Sequence, residues 1–305
     1  MPINVHAIQA LTEGPKPLMD LRREAGSPPA TTMRGHLRTL AAKGIVERRS
    51  QTGFPGALDY ELTDAGREIL QVIDALRVWL EDAPGRPIEP GSVAAKGAIK
   101  ALVEGWSTSM VRALAAKPLA LTELDRLISG INYPSLERRL GAMRAAGQIE
   151  AVPGRGRGTP YMVTPWLRKA VAPLAVAARW ERRHLAEESA QIGRIDGEAA
   201  FLLAIPLLSL DEDVSGTCRL AIEVGNGDRL AGVLVKVESG RILSCATNFQ
   251  GEASAWATGS VSAWLRAVID HDADGLELGG DGQFARALLD GLNRALFCAR
   301  QVQPG

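Results

Sequence analysis

Cysteine and long apolar runs are both scarce in this chain of 305 residues. The three cysteines, Cys218, Cys245 and Cys298, are odd in number, far apart and without CxxC spacing. This spacing argues against a disulfide framework and a zinc ribbon, and it favours buried thiols. The longest apolar run, residues 199–210, is shorter than the ~20 residues that a membrane-spanning helix needs. We therefore expect no membrane partner.

The N-terminus also lacks a basic stretch followed by an apolar one, which is the pattern of a secretory signal. We therefore expect a cytoplasmic protein. Hydrophobic residues make up 46% of the sequence and charged residues 23%, which is typical of globular proteins and unlike disordered or collagen-like chains. A chain of this length suits two or three domains.

Catalytic motifs are missing as well. The sequence has no HExxH, no GxSxG and no Walker-type phosphate-binding loop. The four histidines fall in different predicted elements, at His6, His36, His184 and His271. We expect no enzyme, no catalytic residue and no cofactor.

Neither sign of charge is in excess, since 35 Lys and Arg balance 35 Asp and Glu. The balance conceals a division along the chain. Residues 1–190 hold 26 basic and 20 acidic residues, whereas residues 191–305 hold 9 and 15. A basic segment is compatible with nucleic acid, although many basic faces are only solvated.

An internal repeat covers the basic part of the chain. A shift of 103 residues pairs Leu11 with Leu114, and the register persists without a gap until a loop. Two residues are lost there, after which Tyr60 matches Tyr161. Because apolar positions recur while the polar positions between them drift, the pattern indicates two copies of one supersecondary unit.

Each copy predicts two helices joined by a short turn, then a β-hairpin and a long helix. We name the copies module one (residues 1–85) and module two (residues 92–187). In module two, the second helix begins near residues 133–134 and ends at Gly147. Its core stripe has the helical spacing i, i+4 and i+7, and it consists of Leu136, Leu140 and Met143.

The outward faces of the second helices, which include Gly35 and Gly141, are small and polar enough to enter a major groove. The hairpins add arginines that can approach phosphates or a minor groove. The predicted DNA-binding residues of module one are Thr31, Thr32, Arg34, Arg38, Arg48 and Arg49. Those of module two are Ser135, Arg138, Arg139, Arg155 and Arg157. We expect module one to be the weaker binder because its outward helix face carries fewer arginines.

These segments resemble HxlR-type bacterial transcription regulators over roughly residues 5–187. In module two the likeness rests on residues 105–149. In module one it rests on residues 53–80, with the family's intervals at Pro55, Tyr60, Leu62, Thr63, Gly66 and Trp79. The resemblance implies a winged helix that places one helix in a major groove and its wing on the flanking backbone, usually in a dimer. This chain departs from the family in having two modules, and in lacking the N-terminal sensor cysteine that some members carry.

A tandem pair predicts an intramolecular version of that dimer, which contacts two nonidentical half-sites of double-stranded DNA. The chain would then act as a monomeric pseudo-dimer or as a homodimer. In one alternative, one copy has lost DNA binding and serves as a dimerisation surface. In another, the chain is an interaction protein that grips other proteins with its winged helices and has no operator.

After a polar linker that follows module two, the spacing of the apolar residues changes from that of a helix to that of a strand. Residues 217–224, 229–238 and 241–247 predict antiparallel strands, and residues 275–279 predict an edge strand. Two amphipathic helices complete this C-terminal domain (residues 198–305). The predicted fold class is therefore α+β, with two tandem winged helices followed by an α+β domain of antiparallel sheet and packed helices.

Residues 257–297 resemble the sterol carrier protein fold, in which a sheet and helices enclose an apolar cavity. The resemblance implies a pocket for a hydrophobic small-molecule effector, and a filled core is the alternative. The implied lining residues are Trp256, Trp264, Leu265, Phe284 and Leu288. With this domain as a sensor, the predicted function is a ligand-responsive, DNA-binding transcription regulator.

Three weaker motifs favour ordinary turns. Residues 270–275 imitate the opening of a calcium loop but lack its bidentate Glu, so we expect no metal site. Residues 279–282 open a helix that could hold an anion, although a plain turn is favoured. Residues 154–158 imitate a dinucleotide fingerprint, yet a wing fits better because Pro160 follows.

Overall fold

The computed structural model describes residues 2–50, 58–154, 158–185, 196–224, 229–248 and 251–297. Within these ranges the protein is a mixture of helices and sheets. The first of its two compact units contains Met1–Lys96 and Val176–Ile192, and the second contains Gly97–Ala175 and Gly193–Gly305. The three domain ranges drawn from the sequence stay a prediction. None of the helices in the described ranges is long and apolar enough to cross a membrane.

The first unit has the element order of a winged helix. It begins with α1 (Pro2–Ala10), β1 (Lys16–Pro17), α2 (Leu18–Glu24) and α3 (Ala30–Ala42). It continues with the hairpin β2 (Val46–Ser50) and β3 (Leu58–Leu62), and then with α4 (Asp64–Glu81). The strands are antiparallel in the order β1-β3-β2. These elements confirm the helix-turn-helix and hairpin predicted for module one.

The second unit opens with further helices. They are α5 (Val93–Ser107), α6 (Met110–Ala116), α7 (Leu121–Leu127) and α8 (Tyr133–Ala145). A hairpin of β4 (Ile149–Ala151) and β5 (Tyr161–Val163) follows, and then α9 (Pro165–Lys169) and α10 (Val171–His184). The first residues of α5 and the later residues of α10 belong to the first unit.

The single long helix predicted after the second hairpin is wrong, because the chain forms α9 and α10 instead. Pro173 is the third residue of α10. In one continuous helix its ring would clash with the carbonyl of Lys169. Since that carbonyl also loses its usual amide donor, the helix ends at Lys169 and restarts at Val171.

The C-terminal part is a five-stranded sheet covered by helices. It begins with α11 (Gly197–Ala204), which leads into β6 (Gly216–Val224), β7 (Arg229–Glu238) and β8 (Arg241–Ala246). It ends with β9 (Ala255–Gly259), α12 (Val261–Asp270), β10 (Glu277–Gly280) and α13 (Gly282–Phe297). The strand order is β10-β9-β6-β7-β8, so the predicted edge strand does lie at an edge.

The three strands predicted as antiparallel do pair that way, but the sheet is mixed because β9, which was not predicted, pairs with β6 in parallel. Strand β9 was not predicted because its residues, AWATG, are mostly Ala and Gly, which have low strand preference. In the structure the small residues Ala255, Ala257 and Gly259 are buried in the sheet interior. Here tertiary pairing overrides local preference.

Two thiols lie in this sheet, and both are protected from ionisation. Cys218 on β6 is buried and Cys245 on β8 is half-buried. Burial raises the pKa of each thiol from 9.0 to about 12, although the Arg168 guanidinium opposes the shift at Cys245. Cys298 lies outside the described residues.

We predict that Cys218 and Cys245 of the folded protein resist alkylation at pH 8. Because burial disfavours each thiolate, the folded state keeps its full stability below pH 9.0 and loses stability as the pH rises towards about 12. Mass spectrometry after iodoacetamide treatment of a Cys298→Ser variant would check this, with urea-unfolded protein as the control. Rapid labelling of both thiols in the folded chain would contradict it.

Candidate nucleic-acid interface

The turn between α2 and α3 fixes the position of the recognition helix in module one. The Arg22 side chain closes this turn, because its Nε donates a hydrogen bond to the carbonyl of Pro28 at 2.9 Å. The backbone N–H of Ser27 donates to the Arg22 carbonyl at 2.7 Å. Gly26 takes a φ of +80° within the turn, which glycine adopts without strain.

One face of α3 is buried in the core, and the opposite face is exposed. Met33, Leu37 and Leu40 are buried in the hydrophobic cluster of the first unit. The predicted DNA-binding residues of this helix are all exposed, at Thr31, Thr32, Arg34 and Arg38. No ion pair among the described residues includes either arginine of this face.

The wing arginines of module one are partly engaged by the protein itself. The Arg48 guanidinium lies 5.9 Å from the centre of the Tyr60 ring, and Arg49 Nη1 lies 3.2 Å from Glu61 Oε2. Both arginines remain exposed. The tip of this wing, residues 51–57, lies outside the described residues.

Helix α8, which is predicted to be the recognition helix of module two, is less exposed than the sequence predicts. Asn132 caps α8, since its Oδ1 accepts a hydrogen bond from the N–H of Ser135 at 3.0 Å. Arg138 is exposed, whereas Ser135 and Arg139 are half-buried. The Nε of Arg139 is closed to solvent and has no hydrogen-bond partner in the described chain.

Arg144, which the sequence analysis did not select, stacks on the second hairpin. Its guanidinium lies 5.8 Å from the centre of the Tyr161 ring. The predicted wing residues Arg155 and Arg157 lie outside the described residues. Near them, the N–H of Val152 donates to the carbonyl of Pro160 at 3.0 Å, which extends the hairpin.

Two apolar side chains are exposed where α7 ends and α8 begins. Leu127, the last residue of α7, is 59% exposed, and Tyr133, the first residue of α8, is 43% exposed. The helix ends at Leu127, and Ile128 takes extended backbone angles and turns into the core in its place.

Residues 4–86 match the model of the HxlR-like helix-turn-helix family. This HxlR-like segment contains α1 to α4 and the first wing, and it is less than half of the chain. The search of curated proteins found no match. Among solved structures, a double mutant of the sec-alkyl sulfatase PisA1 is similar at 14% identity, with a TM-score of 0.26. The alignment covers 95% of this chain and 43% of that one.

This sulfatase is an enzyme, in contrast to the expectation above that the chain is not one. A TM-score of 0.26 is too low to carry an argument about fold or activity, so no reaction is assigned to this chain. In the described ranges, no group of three or more His, Cys, Asp and Glu side chains is placed to hold a metal ion.

Outside the HxlR-like segment, the predicted pocket residues lie on β9, α12 and α13 of the C-terminal part. Trp264 is buried, and its Nε1 donates to the carbonyl of Ala221 at 2.8 Å. The Phe201 ring packs edge-on against it at 4.7 Å between ring centres. Phe284 and Leu288 are buried as well, and Leu265 is half-buried.

Trp256 lies on the other face of the sheet. It alternates along β9 with the buried Ala255 and Ala257, so its indole projects to the opposite side. That indole lies across Gly279 of β10, where an added Cβ would come within 2.1 Å of the ring. Trp256 therefore lies apart from the other predicted lining residues, and both the five-residue pocket and the resemblance to the sterol carrier protein fold stay predictions.

Two arginines of module two contact the start of the C-terminal part. Neither was predicted from the sequence to have a role. Arg112 on α6 contacts Asp196 at 3.3 Å and Glu198 at 3.2 Å. Arg168 on α9 donates to the carbonyl of Leu202 on α11. Burial raises the pKa of Glu198 despite the nearby Arg112. These cations secure α11 and are not available to a nucleic acid.

Proposed function

We propose that the protein is a DNA-binding transcription regulator. The observation that carries the proposal is the exposed face of α3 in the HxlR-like segment. Arg34 and Arg38 on this face have no ion-pair partner in the described chain, and phosphates and guanine edges both supply acceptors for a guanidinium group. A helix held outward by a helix-turn-helix is also of the right width for the major groove.

We further propose that module two is a second winged helix. Matched hydrogen bonds support this. Thr63 donates to the carbonyl of Gly44, and Thr164 donates to that of Gly147 at 3.0 Å. Each hydroxyl also accepts a hydrogen bond from the first turn of the helix that follows, at 3.0 and 3.2 Å.

Strand pairing at the base of the wing supports the same proposal. In module one Lys16 pairs with Tyr60, and in module two Leu119 pairs with Tyr161. Both pairs are antiparallel, and each brings the segment before the helix-turn-helix beside the returning strand of the wing. The 103-residue shift and the two-residue deletion relate these positions in the sequence.

The course of α10 supports a pseudo-dimer within one chain. Trp180 lies in the core cluster of the first unit, and its Nε1 donates to the carbonyl of Ala65 at 2.7 Å. His184 Nε2 lies 3.0 Å from Glu68 Oε2, and this contact lowers the pKa of Glu68. The last helix of module two therefore completes the unit that contains module one, as in an intertwined dimer.

A gel-shift titration tests the proposal, with duplexes selected by the intact chain from a random library. We expect the affinity to fall steeply between about 50 and 200 mM salt, by about a thousandfold if six phosphates are contacted. Arg138→Ala should lower discrimination between sequences, whereas Arg155→Ala should weaken all duplexes about equally. If no duplex binds at low salt, the proposal fails.

A second candidate function is a protein-interaction module without specific DNA binding. The exposed Leu127 at the end of α7 and Tyr133 at the start of α8 favour it. Exposed apolar side chains of this kind are typical of surfaces that bind another protein. The same titration separates the two candidates, since this one predicts only weak and sequence-independent binding to random duplex.

Control by an apolar ligand in the C-terminal domain is a further proposal. The contacts of Arg112 and Arg168 with α11 give a physical route from that domain to module two. Mass spectrometry of material extracted from the purified protein tests it. An extract without any apolar compound, from protein that still binds its duplex, would contradict ligand control and leave DNA binding in place.

A further inference from the structure

Gly35 in α3 and Gly141 in α8 lie inside their helices without a packing reason. Both are exposed, and a Cβ built on either would meet no atom within 4 Å. An interior glycine weakens a helix relative to alanine. Because nothing in the described chain requires either glycine, a partner that approaches the bare backbone from outside accounts for them best.

The two outward faces carry the same pair of residue types in opposite order. The 103-residue shift matches Gly35 with Arg138, and Arg38 with Gly141. Each face therefore presents one arginine and one bare stretch of backbone, about one helical turn apart. The two helices cannot present the same groups to the same bases.

The flanks of these faces differ in charge. The residue that matches Arg34 of α3 is Glu137 of α8, and both are exposed. A carboxylate is repelled by phosphates and among the bases accepts best from cytosine. Two unpaired guanidinium groups thus lie beside Gly35, whereas Arg138 has a carboxylate as its neighbour.

We infer that module one makes the larger share of the sequence-specific contacts with the duplex, with Gly35 as the point where the backbone of α3 comes closest to the base edges. Arg34 and Arg38 then reach guanines on either side of it. This inference rests on the proposed function, and it reverses the expectation that module one is the weaker binder. The DNA site it implies is asymmetric, with its guanine-bearing half under module one.

Gly35→Leu in the full-length chain tests the inference. Leucine favours helix and has open space at this position, so the variant should fold and unfold at a temperature no lower than the parent. On the reading face, its side chain should hold the helix away from the bases and weaken binding of the selected duplex by about tenfold or more. Gly97→Leu is the matched control, because Gly97 of α5 is also exposed and open and lies outside both recognition helices.

The expected result is weaker binding for Gly35→Leu, unchanged binding for Gly97→Leu, and a smaller loss for Gly141→Leu. Unchanged binding by Gly35→Leu, or a larger loss for Gly141→Leu, would overturn the inference while the DNA-binding function stands. Failure of the parent chain to select any duplex would instead refute the proposed function. Circular dichroism and thermal unfolding of each variant show that a loss of binding is not a loss of fold.

Discussion

Trp180→Ala is expected to destabilise the first compact unit by about 3–5 kcal/mol. Trp180 is 7% exposed and belongs to the core cluster that also contains Met33 and Leu37 of the recognition helix. Truncation removes the indole from this cluster, and it leaves the Ala65 carbonyl without the hydrogen bond that Nε1 donates. Since both losses fall on one core, α3 should lose its support.

Hydrogen exchange of the α3 amides measures this effect within the unit, because a chain of two units need not unfold in one step. Trp180→Phe is the matched control. It keeps most of the buried ring and loses the hydrogen bond, so it should cost clearly less than the alanine variant. If Trp180→Ala left the exchange of α3 unchanged, α10 would not be part of this core.

Gly66→Ala is expected to destabilise the same unit by about 3 kcal/mol, at the upper end for over-packing. Gly66 lies in the first turn of α4, where an added Cβ would be 2.0 Å from the carbonyl oxygen of Ile45. That atom belongs to the backbone at the start of the wing, so no rotamer change can make room. Either α4 or the strand must move.

Gly35→Ala supplies the control with the opposite sign. Its methyl group meets nothing within 4 Å, so it should stabilise the helix by about 1 kcal/mol. Urea titration of both variants by circular dichroism checks the pair. Equal midpoints for the two variants would show that α4 does not lie against the Ile45 carbonyl.

Much of module one could be predicted from its sequence, because its signals are local. The i, i+4, i+7 stripe of Met33, Leu37 and Leu40 placed α3 and its buried face. Thr63, one of the positions that carry the family resemblance, caps the next helix. The match of residues 4–86 to the HxlR-like family agrees with these local signals.

Long-range features escaped the same reasoning. The parallel partner of β6 could not be predicted because AWATG contains little that favours a strand. The position of Trp180 in the core of the first unit involves a hydrogen bond to the carbonyl of Ala65, which is far away in the sequence. Neither composition nor periodicity encodes such a pairing.

The sequence predicts which helix faces of the candidate site project outward, but not which of its charged side chains already have a partner in the protein. Periodicity indicated which residues of α3 and α8 project outward. Only the coordinates show that Arg49 is paired with Glu61, or that Arg144 stacks on Tyr161. The distinction matters because a guanidinium that already has a partner must give it up before it contacts a phosphate.

The return of residues 176–185 to the first unit sets an order of events during protein synthesis. Although module one leaves the ribosome first, its core lacks Trp180 until the end of α10 has also emerged. At ordinary elongation rates the nascent N-terminal unit waits on the order of ten seconds. During that interval its incomplete core is exposed to chaperones, and a stalled ribosome would hold the unit in this incomplete form.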